Sequence, residues 1–125
     1  MGQKLLIVDD SSVSRSRIAR AALHAGLEGL TICGMAANGA EALQISAREQ
    51  PQLVTMDLTM PEMDGVTCID AMIQQLPSVR ILVISALSDK ITAITALKKG
   101  ATGFLYKPFT DEQLAHALAE ISAQT

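Results

Sequence analysis

The chain has 125 residues and a formal net charge of −3, from ten lysine and arginine residues against thirteen aspartate and glutamate residues. Hydrophobic residues make up 49% and charged residues 18%, a globular composition that excludes a disordered or fibrous chain. An acidic chain without a basic run is not expected to bind nucleic acid directly. No stretch approaches the about 20 apolar residues of a membrane span, and the amino terminus lacks an apolar signal segment, so we expect no membrane insertion.

The first predicted element is a strand, Lys4–Val8, and the helix after it has two candidate caps, Ser11 and Ser12. The apolar spacing of this helix continues to Leu27, so we expect it to end at Gly26 or Gly29.

Strand and helix then alternate four more times. The fourth helix carries Ile91, Ile94 and Leu97 at the spacing of one face. The remaining strands are Leu30–Met35, Leu53–Met56, Arg80–Ile84 and Gly103–Tyr106. The remaining helices start at Asn38, at Asp64, at Ser88 or Asp89, and at Thr110, whose partner in a capping box is Gln113. The second helix ends at Pro51, the third before Pro77 and the fourth at Gly100.

Five alternations predict an α/β fold in which a parallel sheet is covered by helices on both faces. The inner strands are apolar without alternation, as strands buried on both sides are. We therefore expect one (βα)5 doubly wound, flavodoxin-like domain over residues 1–125, with strand order 2-1-3-4-5. The linkers are short, and no internal domain boundary is expected.

Reactive side chains stand where the predicted strands end. The first strand is followed by Asp9 and Asp10, the third by Asp57, the fourth by Ser85 and the fifth by Lys107. Each has an ordinary explanation on its own, such as helix capping or a solvated loop position. In an open α/β sheet, however, ligands bind outside the carboxyl ends of the strands where the strand order reverses, so we expect these five residues to meet.

Three carboxylates close together repel one another, and a hard divalent cation such as Mg²⁺ relieves the repulsion. A phosphoryl group would be attracted to the same place, with an ammonium and a hydroxyl to contact its oxygens. One carboxylate could then act as the nucleophile and form an aspartyl phosphate. The pattern predicts phosphoryl transfer that depends on Mg²⁺.

The chain resembles the receiver domains of bacterial two-component response regulators, of the single-domain type known from chemotaxis. The resemblance covers essentially the whole chain. Its motifs are LIVDD at 6–10 (with Leu6 first), MDLTMPEMDG at 56–65, VISA at 83–86 and GFLYKPF at 103–109.

The resemblance implies roles for individual residues. Asp57 matches the phosphoacceptor, and Asp9, Asp10, Asp57 and the backbone carbonyl of Thr59 match the Mg²⁺ ligands. It implies further that Ser85 turns toward the phosphoryl group, that Lys107 contacts it, that Phe104 is the aromatic switch, and that the Lys107–Pro108 bond is cis.

The same resemblance implies the partners. A sensor histidine kinase or a phosphotransfer protein would supply the phosphoryl group, and the face formed by the fourth helix, fifth strand and fifth helix would act on a separate downstream protein. The sequence differs from the chemotaxis regulator at Phe104, where that protein has tyrosine, and Tyr106 is expected on the same strand face. Phe109 is expected to pack behind the Lys107–Pro108 turn. We expect no output module after the fifth helix, with a fragment of a larger regulator as the alternative.

Two other protein classes share parts of this pattern. A phosphatase of the haloacid dehalogenase type also uses an aspartate at a strand end, but it needs a second aspartate two positions later, where this chain has Thr59. A flavodoxin-like electron carrier would need a phosphate-binding loop rich in serine and threonine after the first strand, and aromatic residues placed to stack on the flavin. This sequence has neither feature. Cys33 and Cys68 have no metal-ligand spacing and are expected to be reduced thiols of a cytoplasmic protein.

Overall fold

The structure is a computed structural model, and it describes residues 2–58, 60 and 63–123. Strands and helices alternate as predicted, with one short 3₁₀ helix before the fourth α-helix. The strands are β1 (Gln3–Val8), β2 (Leu30–Ala36), β3 (Leu53–Asp57), β4 (Arg80–Ala86) and β5 (Gly103–Lys107). The helices are α1 (Ser12–Leu23), α2 (Gly39–Glu49), α3 (Gly65–Gln75), the 3₁₀ helix Leu87–Asp89, α4 (Lys90–Lys98) and α5 (Asp111–Ser122).

The five strands form one parallel sheet in the order β2-β1-β3-β4-β5, which confirms the predicted topology. The chain reverses its direction of winding between β1 and β3, so the ends of these two strands lie side by side. Because parallel strands end at one edge of the sheet, residues that follow β1 and β3 meet there.

Each face of the sheet is covered by a separate apolar core. On one face the strands pack against α1 and α5, and the buried residues include Ile7, Ile18, Leu82, Leu114 and Leu118. On the other they pack against α2, α3 and α4, and the buried residues include Leu6, Val54, Met56, Ile69 and Val83. Most of the buried side chains in both cores are aliphatic, and Phe109 belongs to the core on the side of α1 and α5.

The predicted helix starts are confirmed at four helices. The side chains of Ser11, Asn38, Asp64 and Thr110 each accept a hydrogen bond from the backbone N–H three residues ahead. Thr110 also forms the predicted capping box, because the Gln113 side chain accepts from the Thr110 N–H at 2.9 Å. These caps satisfy backbone donors that the first helical turn leaves unpaired.

The predicted end of α1 was wrong by several residues. The helix ends at Leu23, although Leu27 continues its apolar spacing and packs against the core from the following loop. Both Gly26 (φ 76°) and Gly29 (φ 71°) have left-handed backbone conformations that favour glycine, so the chain turns here twice before β2.

The apolar residues that share one face of α4 are not the residues that this helix buries. The helix buries Ala93 and Ala96, whereas Ile91 is 81% exposed and Ile94 is 43% exposed. Small residues let α4 lie close to the sheet, and the larger side chains are left on the outer side. In the part of the chain that the structure describes, no helix has the length and apolarity to cross a membrane.

Both cysteines are free thiols, and Cys68 is fully buried between α3 and the start of α2, 3.8 Å from the Gly39 carbonyl oxygen. Burial, with a smaller contribution from the Asp64 carboxylate, raises the pKa of the Cys68 thiol from its usual 9.0 to about 11. Between these values the unfolded chain ionises at Cys68 and the folded chain does not, so stability is lost as pH rises.

We therefore expect the stability advantage of the wild type over Cys68→Ala to shrink by about 1 kcal/mol between pH 8 and pH 10. Urea unfolding of both proteins across this range measures it. Cys33→Ala is the matched control, because Cys33 is only half-buried and the change should be smaller. If the difference in the free energy of unfolding between wild type and Cys68→Ala stayed constant from pH 8 to pH 10, the buried thiol would not be staying neutral in the folded protein.

Candidate functional site

Asp9, Asp10, Asp57 and Lys107, four of the five residues predicted to meet at the carboxyl edge of the sheet, lie together there, and Ser85 lies near the end of β4 at the same edge. Asp9 directly follows β1, and Asp57 and Lys107 are the last residues of β3 and β5. Ser85 is the penultimate residue of β4. These strands are longer at this edge than predicted, so Asp57, Ser85 and Lys107 are positioned by the sheet itself.

Three carboxylates form a cluster at this edge. Asp9, Asp10 and Asp57 each offer one oxygen, and these oxygens lie within 4.8 Å of one another. Asp9 is 1% exposed and Asp57 4%, whereas Asp10 is open to solvent. The cluster therefore contains two buried carboxylates and one exposed carboxylate, and a ligand can reach it from the side of Asp10.

Lys107 supplies the positive charge of this pocket. Its Nζ atom lies 3.7 Å from Asp57 Oδ1 and 3.9 Å from Asp9 Oδ2, so one ammonium pairs with two buried carboxylates. The peptide bond from Lys107 to Pro108 is cis, as the resemblance implies. One lysine leaves the three carboxylates with a net negative charge, which attracts a cation.

The donor set fits a divalent cation. All three groups are carboxylates, the hard oxygen ligands that Mg²⁺ prefers, and one side of the cluster is open for water ligands. Asp9 Oδ2 is buried and has no hydrogen-bond partner among residues 2–58, 60 and 63–123. Thr59, the proposed source of a carbonyl ligand, lies outside the described residues.

The loop after β1 holds Asp9 in place. Asp9 Oδ1 accepts a hydrogen bond from the Ser11 N–H at 2.9 Å, and the Asp9 carbonyl oxygen accepts one from Arg15 Nη1 at 2.7 Å. The part played by Arg15 was missed from the sequence, because its contact runs back from the first turn of α1 to a residue three positions before the helix.

Ser85 is buried (1% exposed), and its Oγ has no hydrogen-bond partner within the described part of the chain. An unpaired buried hydroxyl is uncommon and is a ready donor for an incoming oxygen. In the sheet Ser85 pairs with Tyr106, and Val83 with Phe104. Ser85 therefore neighbours the strand that carries the two aromatic rings.

Phe104 and Tyr106 contact each other on the same side of β5, with ring centroids 5.0 Å apart and planes inclined by 55°. Phe104 is 45% exposed, while Tyr106 is half-buried against the core on the α3–α4 side. Phe109 is buried behind the Lys107–Pro108 turn, as predicted. The aromatic residues thus divide between a surface pair and a packing residue.

Residues 5–119 match the family model of the response regulator receiver domain. The chain belongs to this family. Receiver domains are signalling modules of two-component systems, and the relatives place this one with the single-domain CheY type. The chemotaxis protein CheY of Thermotoga maritima is 38% identical over 98% of this chain and 99% of its own length. The CheY of Bacillus subtilis is 36% identical over 94% of this chain and 96% of its own length.

Solved structures agree with the sequence relatives. The CheY–CheX complex with BeF₃ and Mg²⁺ from Borrelia burgdorferi matches with a TM-score of 0.88 and 30% identity, over 98% of this chain and 90% of that one. The chemotaxis protein CheY4 of Vibrio cholerae matches with a TM-score of 0.83 and 29% identity, over 97% of this chain and 99% of that one. The receiver fold and its flavodoxin-like topology are therefore established for this chain.

Proposed function

We propose that this receiver domain, over residues 1–125, accepts a phosphoryl group on Asp57 in a Mg²⁺-dependent reaction within a cytoplasmic phosphorelay. The observation that carries the proposal is the buried Asp57 carboxylate with Lys107 Nζ 3.7 Å away and two further carboxylates beside it. A nucleophile, a cation that contacts it and a divalent-metal donor set are what phosphoryl transfer to a carboxylate requires.

In the proposed reaction an Asp57 carboxylate oxygen forms a bond to phosphorus. The phosphorus–nitrogen bond of a phosphohistidine breaks, and the imidazole leaves with the electron pair and takes up a proton. The donor is a sensor histidine kinase or a phosphotransfer protein. Apart from its own phosphorylation and the later hydrolysis, the chain catalyses no reaction in this proposal.

The other residues act on charge and orientation. Lys107 offsets the negative charge of the phosphoryl oxygens and keeps the Asp57 oxygen oriented. Asp9, Asp10, Asp57 and the Thr59 carbonyl would hold Mg²⁺, which supplies charge neutralisation for the carboxylates and the phosphoryl group when bound. Asp10 is the ligand on the open side, so it also controls access from solvent.

The output of the proposed switch is the surface around Phe104. Ser85 would donate its hydroxyl to a phosphoryl oxygen, and the movement would change the packing of Tyr106 and Phe104 on the neighbouring strand. The exposed side chains of Leu87, Ile91 and Ile94 lie on the adjoining helical segment and would extend this surface. The Borrelia complex pairs a CheY with CheX, and we propose that this chain likewise acts on a separate protein.

Acetyl phosphate with Mg²⁺ tests the proposed function. Intact-mass spectrometry should show the gain of one phosphoryl group, and the gain should disappear when Mg²⁺ is removed with EDTA. A protein that stays unmodified and binds neither Mg²⁺ nor beryllofluoride would disprove the assignment.

Ser85→Ala tests the link between the site and Phe104. Removing one hydroxyl from a buried position should leave phosphorylation within about threefold of wild type, because Asp57 and Lys107 remain. The amide NMR shifts of residues 104–106 on addition of beryllofluoride should fall to less than about half of the wild-type changes.

Ser46→Ala is the matched control. Ser46 is as buried as Ser85 but lies on α2, where its hydroxyl pairs with the Leu43 carbonyl and the Gln75 side chain. It should leave the changes at residues 104–106 as in wild type. Identical shifts in Ser85→Ala and wild type would show that Ser85 does not carry the signal.

A further inference from the structure

Arg17 joins two parts of the chain that carry the site. It lies on α1, and its Nη2 donates a hydrogen bond to the carbonyl oxygen of Phe109, 92 positions later. The guanidinium carbon lies 4.6 Å from the centre of the Phe109 ring, in cation–π contact. Its Nε lies 3.6 Å from Asp111 Oδ1, at the start of α5.

These three contacts join the elements whose separation sets the geometry of the site. Helix α1 begins two residues after Asp10, the second residue of the acidic pair, and the segment that Arg17 contacts follows Lys107. The span from Lys107 Nζ to Asp9 Oδ2 is 3.9 Å, so a small displacement of the segment at 108–110 relative to α1 moves the ammonium off its carboxylates.

Packing of this segment toward α1 is incomplete, although Phe109 itself is buried in the core on that side. A cavity of about 400 Å³ lies there, and its lining includes Asp9, Ile18, Lys107 and Phe109 as well as Arg17. A segment that borders a cavity has room to shift, because empty space offers no van der Waals contacts. Among the described residues, Lys107 and Arg17 make polar contacts across this gap.

Resting on the proposed function, we infer that Arg17 is a positioning residue for Lys107. It holds the segment after β5 against α1 and thereby keeps the ammonium at the phosphoacceptor. Arginine suits this position because one planar group donates to a carbonyl, stacks on a ring and pairs with a carboxylate, which lysine does not reproduce. The ion pair with Asp111 is exposed and contributes least.

The test compares Arg17→Ala, Arg17→Lys and Asp111→Ala with Arg48→Ala, an exposed arginine on α2 that pairs with Glu49. With saturating acetyl phosphate, Arg17→Ala should be phosphorylated about tenfold more slowly, a smaller loss than the about hundredfold that a misplacement of about 1 Å can cause, because the contacts of Lys107 with its carboxylates remain possible. Arg17→Lys should fall between it and wild type, while the other two stay within about twofold. The Mg²⁺ concentration for half-maximal rate should not change.

A second readout follows Lys107 itself in the metal-free, unphosphorylated protein. The ¹³Cε–¹Hε NMR signal of Lys107 should differ from that of the exposed Lys99 in wild type, and it should move toward the Lys99 position in Arg17→Ala and Arg17→Lys. An unmoved Lys107 signal would overturn the inference, as would equal slowing by Arg48→Ala. A rate loss accompanied by a raised Mg²⁺ requirement would also overturn it, because the whole site would then have loosened.

The experiments distinguish failure of the proposed function from failure of the inference about Arg17. If wild-type protein takes up no phosphate, the proposed function is wrong, and the Lys107 signal still decides whether Arg17 positions that side chain.

Discussion

Asp57→Asn is expected to abolish phosphorylation by acetyl phosphate and Mg²⁺, with no phosphoryl mass gained over an incubation that modifies wild type fully. The amide has nearly the shape of the carboxylate, so the buried position remains filled. It has no negative charge and is a far weaker nucleophile, and it gives up the 3.7 Å ion pair with Lys107. Intact-mass spectrometry and peptide mapping measure the result.

Asp70→Asn is the control for this prediction, because it makes the same charge change on α3, away from the cluster, and should be phosphorylated like wild type. Asp10→Asn should retain phosphorylation but need more Mg²⁺, since Asp57 and Lys107 are unaltered while one metal ligand is lost. Phosphate bound covalently at another residue in Asp57→Asn would show that Asp57 is not the acceptor.

Gly65→Ala is expected to lower the free energy of unfolding by about 3 kcal/mol and to slow phosphorylation as well. A Cβ atom at Gly65 would lie 2.7 Å from the Asp57 carbonyl oxygen and 2.7 Å from Leu58 Cα. Both are backbone atoms, which cannot move aside as the end of a side chain can. The start of α3 would therefore push on the backbone that carries the phosphoacceptor.

Gly103→Ala is the matched control, because its added Cβ would lie 3.3 Å from the Ile121 Cγ2 atom, a side chain that can shift by a few tenths of an ångström. We expect it to change stability by less than about 1 kcal/mol. Urea unfolding of both variants gives the stabilities. Equal stabilities for the two variants would contradict the argument from backbone contact at Gly65.

Local signals in the sequence were good guides to the helix starts. Ser11, Asn38, Asp64 and Thr110 cap their helices through hydrogen bonds that span three residues, so the information lies within one turn. The strands were also found, because runs of apolar residues without alternation indicate burial on both faces. The carboxyl ends of β3, β4 and β5 were predicted one or two residues too short. These strands reach Asp57, Ala86 and Lys107 because the neighbouring strands extend the hydrogen-bonded ladder.

Helix packing was harder to predict. The spacing of Ile91, Ile94 and Leu97 satisfies the rule for a buried face, yet α4 places alanines against the sheet. Periodicity shows that one side of a helix differs from the other, but the distance to the neighbouring elements decides whether large or small side chains fit there. The end of α1 has a similar origin, because Leu27 reaches the core from a loop.

The residues of the candidate site were all predicted from the ends of the strands, and the structure brings Asp9, Asp10, Asp57 and Lys107 together. Their roles in phosphoryl transfer stay predictions. Supporting residues were missed, since Arg17 and Arg15 look like ordinary exposed arginines of a helix. Arg17 acquires its partners from a segment more than ninety positions away, and only the folded chain brings the two together.

The family, the order of the strands and the grouping of the acidic residues with Lys107 can all be read from the sequence, because each depends on short motifs and on general rules of chain winding. The contacts of the three aromatic residues cannot be read from the sequence. The sequence places them within six positions around Lys107, but it does not show that Phe104 and Tyr106 form a surface pair while Phe109 lies under Arg17. Those contacts depend on the angles and distances at which distant segments pack, and these arise only when the whole core is assembled.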